Sequence, residues 1–326
     1  MAESRDFDPG PWVGHDFSEA RKHFDRHVGR SYGETQAKKV TTKGLLPDRL
    51  STKSHFPVIV LIDGTGSMGD WPATLFSKLP YLDHELRKEY LGPDVEICFG
   101  MTCDAYAGDA YPLQMQPFSK GVDLKERLKA LAREENCGGT GNQESYELGA
   151  LYVLHQIDLP AECRPTLILI GDERPYQETS VANAKKHAGV TLEKAVSTKE
   201  VFQGLRDKGY SVYLVRKPYL TMYHKGTPTD RSIYTEWVDL LGEQYIANLP
   251  EARGIMDTMF GIFARESNKI EYFRKELEER QRPEQVETVY AALETVLRGS
   301  ERTDGGESSD SKLRDPLSGK RGKDLL

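Results

Sequence analysis

The sharpest chemistry in the 326-residue chain lies in Asp63-Gly64-Thr65-Gly66-Ser67. Asp63, Thr65 and Ser67 alternate along this stretch, and each carries a short oxygen-bearing side chain. The glycines between them let a turn close tightly enough to aim all three side chains inward. One carboxylate with two hydroxyls is a hard oxygen set, suited to Mg²⁺, Mn²⁺ or Ca²⁺ and poor for zinc or copper. Two later segments offer what this set lacks. Cys137-Gly138-Gly139-Thr140-Gly141 presents another hydroxyl in a Gly-rich stretch, and Gly171-Asp172 follows directly on the apolar run TLILI. Asp63, Thr65, Ser67, Thr140 and Asp172 are therefore the expected metal ligands. They leave the ion under-neutralised, with room for an acidic side chain from a protein partner.

These segments meet only if the elements before them bring their ends together. PVIVLID, from Pro57, is a continuous β-branched run, the mark of a strand buried on both faces. Asp70 then caps a helix with Pro72 in its first turn, an apolar stripe through Leu75, Leu79, Leu82 and Leu86, and a kink expected at Pro80. DVEICFGM, PTLILIG, SVYLVRK and YIANL read as further strands, and YPLQMQPF as an alternating edge strand. Helices are expected over 123–135, 144–157, 198–208 and 231–241. Such alternation predicts an α/β fold, a Rossmann-like, doubly wound and mostly parallel sheet, whose ligands gather at the carboxyl edge.

The flanks differ in composition. Residues 1–54 form an expected N-terminal arm, basic from Arg21 to Lys53, with one short helix over Asp16–His27. The α/β domain covers 55–265. C-terminal helices follow over 266–298, within a helical run that begins at Glu251, and the last of them carries a stripe of Val286, Val289, Tyr290, Leu293, Val296 and Leu297 that must pack on the domain or on a partner. Residues 299–326 are small, polar and charged, the composition of a disordered tail.

Hydrophobic residues make up 38% of the chain, enough for one large core, and a net charge of -7 offers no global field for gripping nucleic acid. Cys98, Cys103, Cys137 and Cys163 form no CxxC pair and read as buried thiols in a reducing compartment. The start of the chain has no basic, then apolar, leader pattern, and no run approaches the length of a membrane span. A cytoplasmic protein is expected.

At the five ligand positions the chain resembles the metal-ion-dependent adhesion site (MIDAS) of von Willebrand factor A (vWA) domains, whose pattern is Asp-x-Ser-x-Ser, then Thr, then Asp. Asp63, Thr65 and Ser67 match the first element, with Thr for one Ser; Thr140 matches the Thr and Asp172 the distal Asp. Glu173 departs from the pattern, since many members have Gly there. Asp104, with Tyr111 to Gln114, and the run Glu144 to Leu148 are similar to segments of prokaryotic stand-alone members. The resemblance implies a metal-dependent adaptor that binds a partner carboxylate, often beside a MoxR-type AAA ATPase or in stress and defence systems, and not a catalyst. Mg²⁺ is the ion expected first. Glu144, Asp104 and Glu173 are candidates for an outer acidic shell.

Other chemistries fit less well. Thr65-Gly66-Ser67-Met68-Gly69 imitates a hydrolase nucleophile elbow, with Ser67 as nucleophile, but Thr65 stands where the elbow wants Gly. Its base would have to be His155, His187 or His224, none in a marked context. A dehalogenase-type phosphatase would need its nucleophile at Leu61, and there is no P-loop motif. His23 and His27 with Asp16 form at most a weak metal clip. A nucleic-acid-associated role would rest on the basic arm 21–53, which is poor in interleaved aromatics, with Phe24 and Tyr32 alone.

Overall fold

The computed structural model describes residues 45–131, 137–139, 141–219 and 227–301. Most of the basic arm, the pair His23 and His27, His224, the tail from 302 and Thr140 itself lie outside the described residues.

Six strands form the central sheet: β1 (Pro57–Asp63), β2 (Glu96–Thr102), β3 (Leu113–Met115), β4 (Thr166–Gly171), β5 (Ser211–Arg216) and β6 (Ile246–Asn248). Their order is β6-β5-β4-β1-β2-β3, parallel throughout except for β3, which runs antiparallel to β2 at the edge. The fold is thus a mixed α/β, mostly parallel sheet of Rossmann-like order. The β-branched runs form the central strands because both of their faces are covered. Along β1, Val58, Val60 and Ile62 enter one apolar core while Ile59 and Leu61 enter the other. Strands β4 and β5 divide the same way, with Ile168, Ile170, Tyr213 and Val215 on one face and Leu167, Leu169, Val212 and Leu214 on the other.

Helices cover both faces. On the first lie α1 (Trp71–Ser77) and α2 (Leu79–Glu85), split at Lys78, where Pro80 starts a new helix instead of bending one. After α3 (Asp123–Ala130), the second face is covered by α4 (Tyr146–Gln156), α6 (Thr198–Asp207) and α7 (Pro228–Leu241), with α5 (Val181–Ala188) beside α4. Helix α4 is buried from Tyr146 to Leu154, as a helix apolar on all sides must be. The chain ends in α8 (Ile255–Glu266), α9 (Ile270–Arg280) and α10 (Pro283–Glu301). Their residues Met256, Phe260, Phe273, Val289, Leu293 and Val296 belong to the same core as β1, α1 and α2. The C-terminal stripe therefore packs on the sheet's own helical layer.

The described end of the N-terminal arm is also docked. Leu50–Ser51 pairs in parallel with Ile157–Asp158, the carbonyl of Leu45 accepts from the amide of Met115 (2.8 Å), and that of Pro47 from the Tyr152 hydroxyl (2.7 Å). Leu45 and Leu50 are too widely spaced to make a period, so this docking leaves no pattern in the sequence. Among the described residues, no helix is long and apolar enough to cross a membrane.

Candidate metal centre

All the site segments leave the carboxyl edge of the sheet. Asp63 is the last residue of β1, Asp172 follows β4, and Thr102 at the end of β2 pairs with Asp63. The Asp63–Ser67 turn folds back on itself. The Asp63 carboxylate accepts, at Oδ1, the Thr65 amide (2.7 Å) and the Thr65 hydroxyl (2.6 Å). The hydroxyl oxygens of Thr65 and Ser67 are 3.1 Å apart, and Ser67 donates to Asp172 Oδ1 at 2.9 Å. Four of the five predicted ligands are thus linked in an unbroken chain of oxygen contacts across two strand ends. The fifth, Thr140, falls outside the described residues. Its neighbour Gly138 leans on the site, because a Cβ there would stand 3.2 Å from the Thr65 side chain. Gly138 also has φ +102°, a region that favours glycine.

Two residues that sequence patterns do not single out complete the geometry. Tyr146, at the first turn of α4, donates from its hydroxyl to Asp63 Oδ2 at 2.6 Å. It reaches Asp63 by crossing Gly171, where a Cβ would lie 1.9 Å from that hydroxyl. An edge contact with Trp237 holds the ring, and Trp237 donates its indole N–H to the Glu173 carbonyl. Lys217, the residue after β5, donates to Asp172 Oδ2 (2.8 Å) and to the Ser67 carbonyl (2.6 Å). Lys217 shares a signal with Asp172, since both follow a buried strand at the ligand-bearing edge.

The electrostatics are lopsided. Asp63, Asp104, Glu144, Asp172 and Glu173 are all buried around this point, whereas Lys217 is the cation bonded to it among the described residues. Burial, then repulsion from Asp172, pushes the Asp63 carboxyl up to about 7. Burial, with Asp63, Glu173 and Asp104 as neighbours, raises Glu144 to about 11, and burial with Asp172 raises Glu173 to about 8. Glu144 Oε2 is buried without a hydrogen-bond partner among the described residues. Asp104 is better satisfied, since it accepts from the Tyr176 hydroxyl at 3.0 Å and from the Tyr106 amide at 2.8 Å. Glu144, Asp104 and Glu173, the candidates for an outer acidic shell, are all buried.

No protein-family model matches the chain, and no curated protein matches it. Among solved structures, the pilus adhesin SpaC from Lactobacillus rhamnosus GG aligns with TM-score 0.46 and 11% identity, over 66% of this chain and 30% of its own. Proximal thread matrix protein 1 from the mussel byssus, solved with a zinc-occupied MIDAS motif, aligns with TM-score 0.42 and 14% identity, over 68% of this chain and 46% of its own. This chain therefore spans less than half the length of either.

The atoms of the centre suit a hard cation. A carboxylate and two hydroxyls from one turn, with a second carboxylate opposite, are oxygen donors at one point. The Glu144 carboxyl beside them, pushed to its protonated form by burial and acidic neighbours and with one oxygen unpartnered among the described residues, marks a place short of positive charge. Among the described residues the Ser67 hydroxyl meets Thr65 and Asp172; His224, one of the candidate bases, lies outside them.

Proposed function

We propose that this chain is a vWA-type, metal-dependent protein-interaction module. Asp63, Thr65, Ser67 and Asp172, with Thr140 from the Gly-rich loop, would hold one divalent cation, Mg²⁺ in the first place. The observation that carries this reading is the continuous oxygen chain from Asp63 Oδ1 to Asp172 Oδ1, set among buried carboxyls that have too few cations. A cation bound there supplies a Lewis-acid bridge to a Glu or Asp of the partner. Tyr146 fixes the rotamer of Asp63, and Lys217 holds Asp172 toward Ser67. No covalent chemistry is assigned. A MoxR-type AAA ATPase as partner and a cytoplasmic setting rest on the sequence resemblance and composition.

The first test is titration of the full chain with Mn²⁺ and Mg²⁺ by calorimetry. Wild type is expected to take up one ion, and Asp63→Ala and Asp172→Ala to lose at least about tenfold in affinity with an unchanged near-ultraviolet spectrum. A wild-type chain that binds neither ion would end the proposal.

A further inference from the structure

Beside the metal centre lies a second pair of reactive groups. Cys103 follows β2 directly, and Cys137 opens the Gly-rich loop. Both are buried, and their Sγ atoms are 3.0 Å apart. The thiol of Cys137 also donates to the Gly64 carbonyl at 3.3 Å. One carboxylate oxygen sets the register of the pair: Asp109 Oδ2 accepts the amide of Asp104 (2.7 Å) and the amide of Gly138 (2.9 Å), the residue after each cysteine.

The two sulfurs and the Asp109 carboxylate lie within 4.8 Å of one another, so a soft metal ion is the obvious rival. Two observations weigh against it. Thiolates sharing a tetrahedral zinc, at Zn–S of about 2.3 Å, stand roughly 3.8 Å apart, well beyond the spacing seen. The carboxylate oxygen is already engaged by two backbone N–H groups.

We infer that Cys103 and Cys137 are a redox pair that closes to a disulfide and ties the Gly-rich loop to the carboxyl edge of the sheet. The oxidant is a peroxide. Cys137, the less deeply buried of the two, attacks a peroxide oxygen to give a sulfenic acid and one water, and Cys103 displaces the second water from that sulfur. Two thiols and one hydrogen peroxide thus yield one disulfide and two waters, and a dithiol reduces that bond back to two thiols while being oxidised to its own disulfide. The bond pins Gly138 and Gly139 where they lean on Thr65 and Asp104. Formation of the disulfide does not depend on a cation at the metal centre.

The test uses the full chain, reduced, treated with hydrogen peroxide, then alkylated under denaturing conditions and mapped by tandem mass spectrometry. Two of the four thiols are expected to escape alkylation in a Cys103–Cys137 linked peptide, reversibly with dithiothreitol. Cys163→Ala is expected to give the same link, and Cys137→Ser to give none. Full alkylation of all cysteines in a natively folded wild-type chain, or a link through Cys98 or Cys163, overturns the inference. So does stoichiometric zinc that resists peroxide and is lost in Cys137→Ser. Because thiols are counted directly, a negative calorimetric result for Mg²⁺ leaves this outcome unaffected.

Discussion

Asp63 is the residue on which the centre's pH behaviour turns. Its carboxyl is raised from 3.8 to about 7, first by burial and then by Asp172. A raised acid binds its proton more tightly in the folded chain than in the unfolded one. Its stabilising contribution is therefore complete below about pH 4 and is lost as pH climbs through about 7, and Glu173, raised to about 8, pulls in the same direction. A divalent cation competes with these protons and favours the ionised form. The melting temperature in EDTA is expected to fall from pH 5 to pH 8, while the rise produced by Mg²⁺ grows over the same interval. Scanning calorimetry at three pH values checks both. A Mg²⁺ effect that is flat with pH, or larger at pH 5, contradicts the assignment of Asp63.

The elements that aim these residues were partly legible beforehand. The apolar runs at 57–63, 166–171 and 211–216 stand out because parallel strands buried on both faces read as unbroken β-branched stretches. Helix α5 does carry signals in its sequence, a Ser180 N-cap, a Gly189 C-cap and Ala184 and Ala188 four apart, whereas the docking of Leu50–Ser51 rests on short contacts with no period. Asp63, Thr65, Ser67 and Asp172 could be found from alternation and strand ends. Tyr146 could not be assigned its contact with Asp63, because that contact depends on α4 lying close enough to β4 for the ring to cross Gly171. This closeness makes a prediction at the element scale. Gly171→Ala puts a methyl where the Tyr146 hydroxyl sits, so α4 and β4 must separate or the ring must swing away. The variant is expected to lose about 1–3 kcal/mol in urea unfolding and to bind Mn²⁺ several-fold more weakly. Unchanged values for both would mean that the Tyr146 contact is dispensable.

For the whole molecule, the deciding fact is that the central strand β1 and the C-terminal helices share one core. Val58, Val60 and Ile62 of β1 share it with Phe260 and Leu293. Leu293 is fully buried, and its methyls fill the space over Gly261. Leu293→Ala is expected to cost about 2–5 kcal/mol of unfolding free energy, against about 5–15 kcal/mol for a typical domain. Chemical denaturation reads this directly, and a cost under about 1 kcal/mol would show that α10 is peripheral. The strand order adds a consequence for biosynthesis. The central strand β1 is made well before α8, α9 and α10, which complete the cover of one of its faces. Until then α1 and α2 cover that greasy face only in part, a window in which a holdase chaperone has something to grip on the nascent chain.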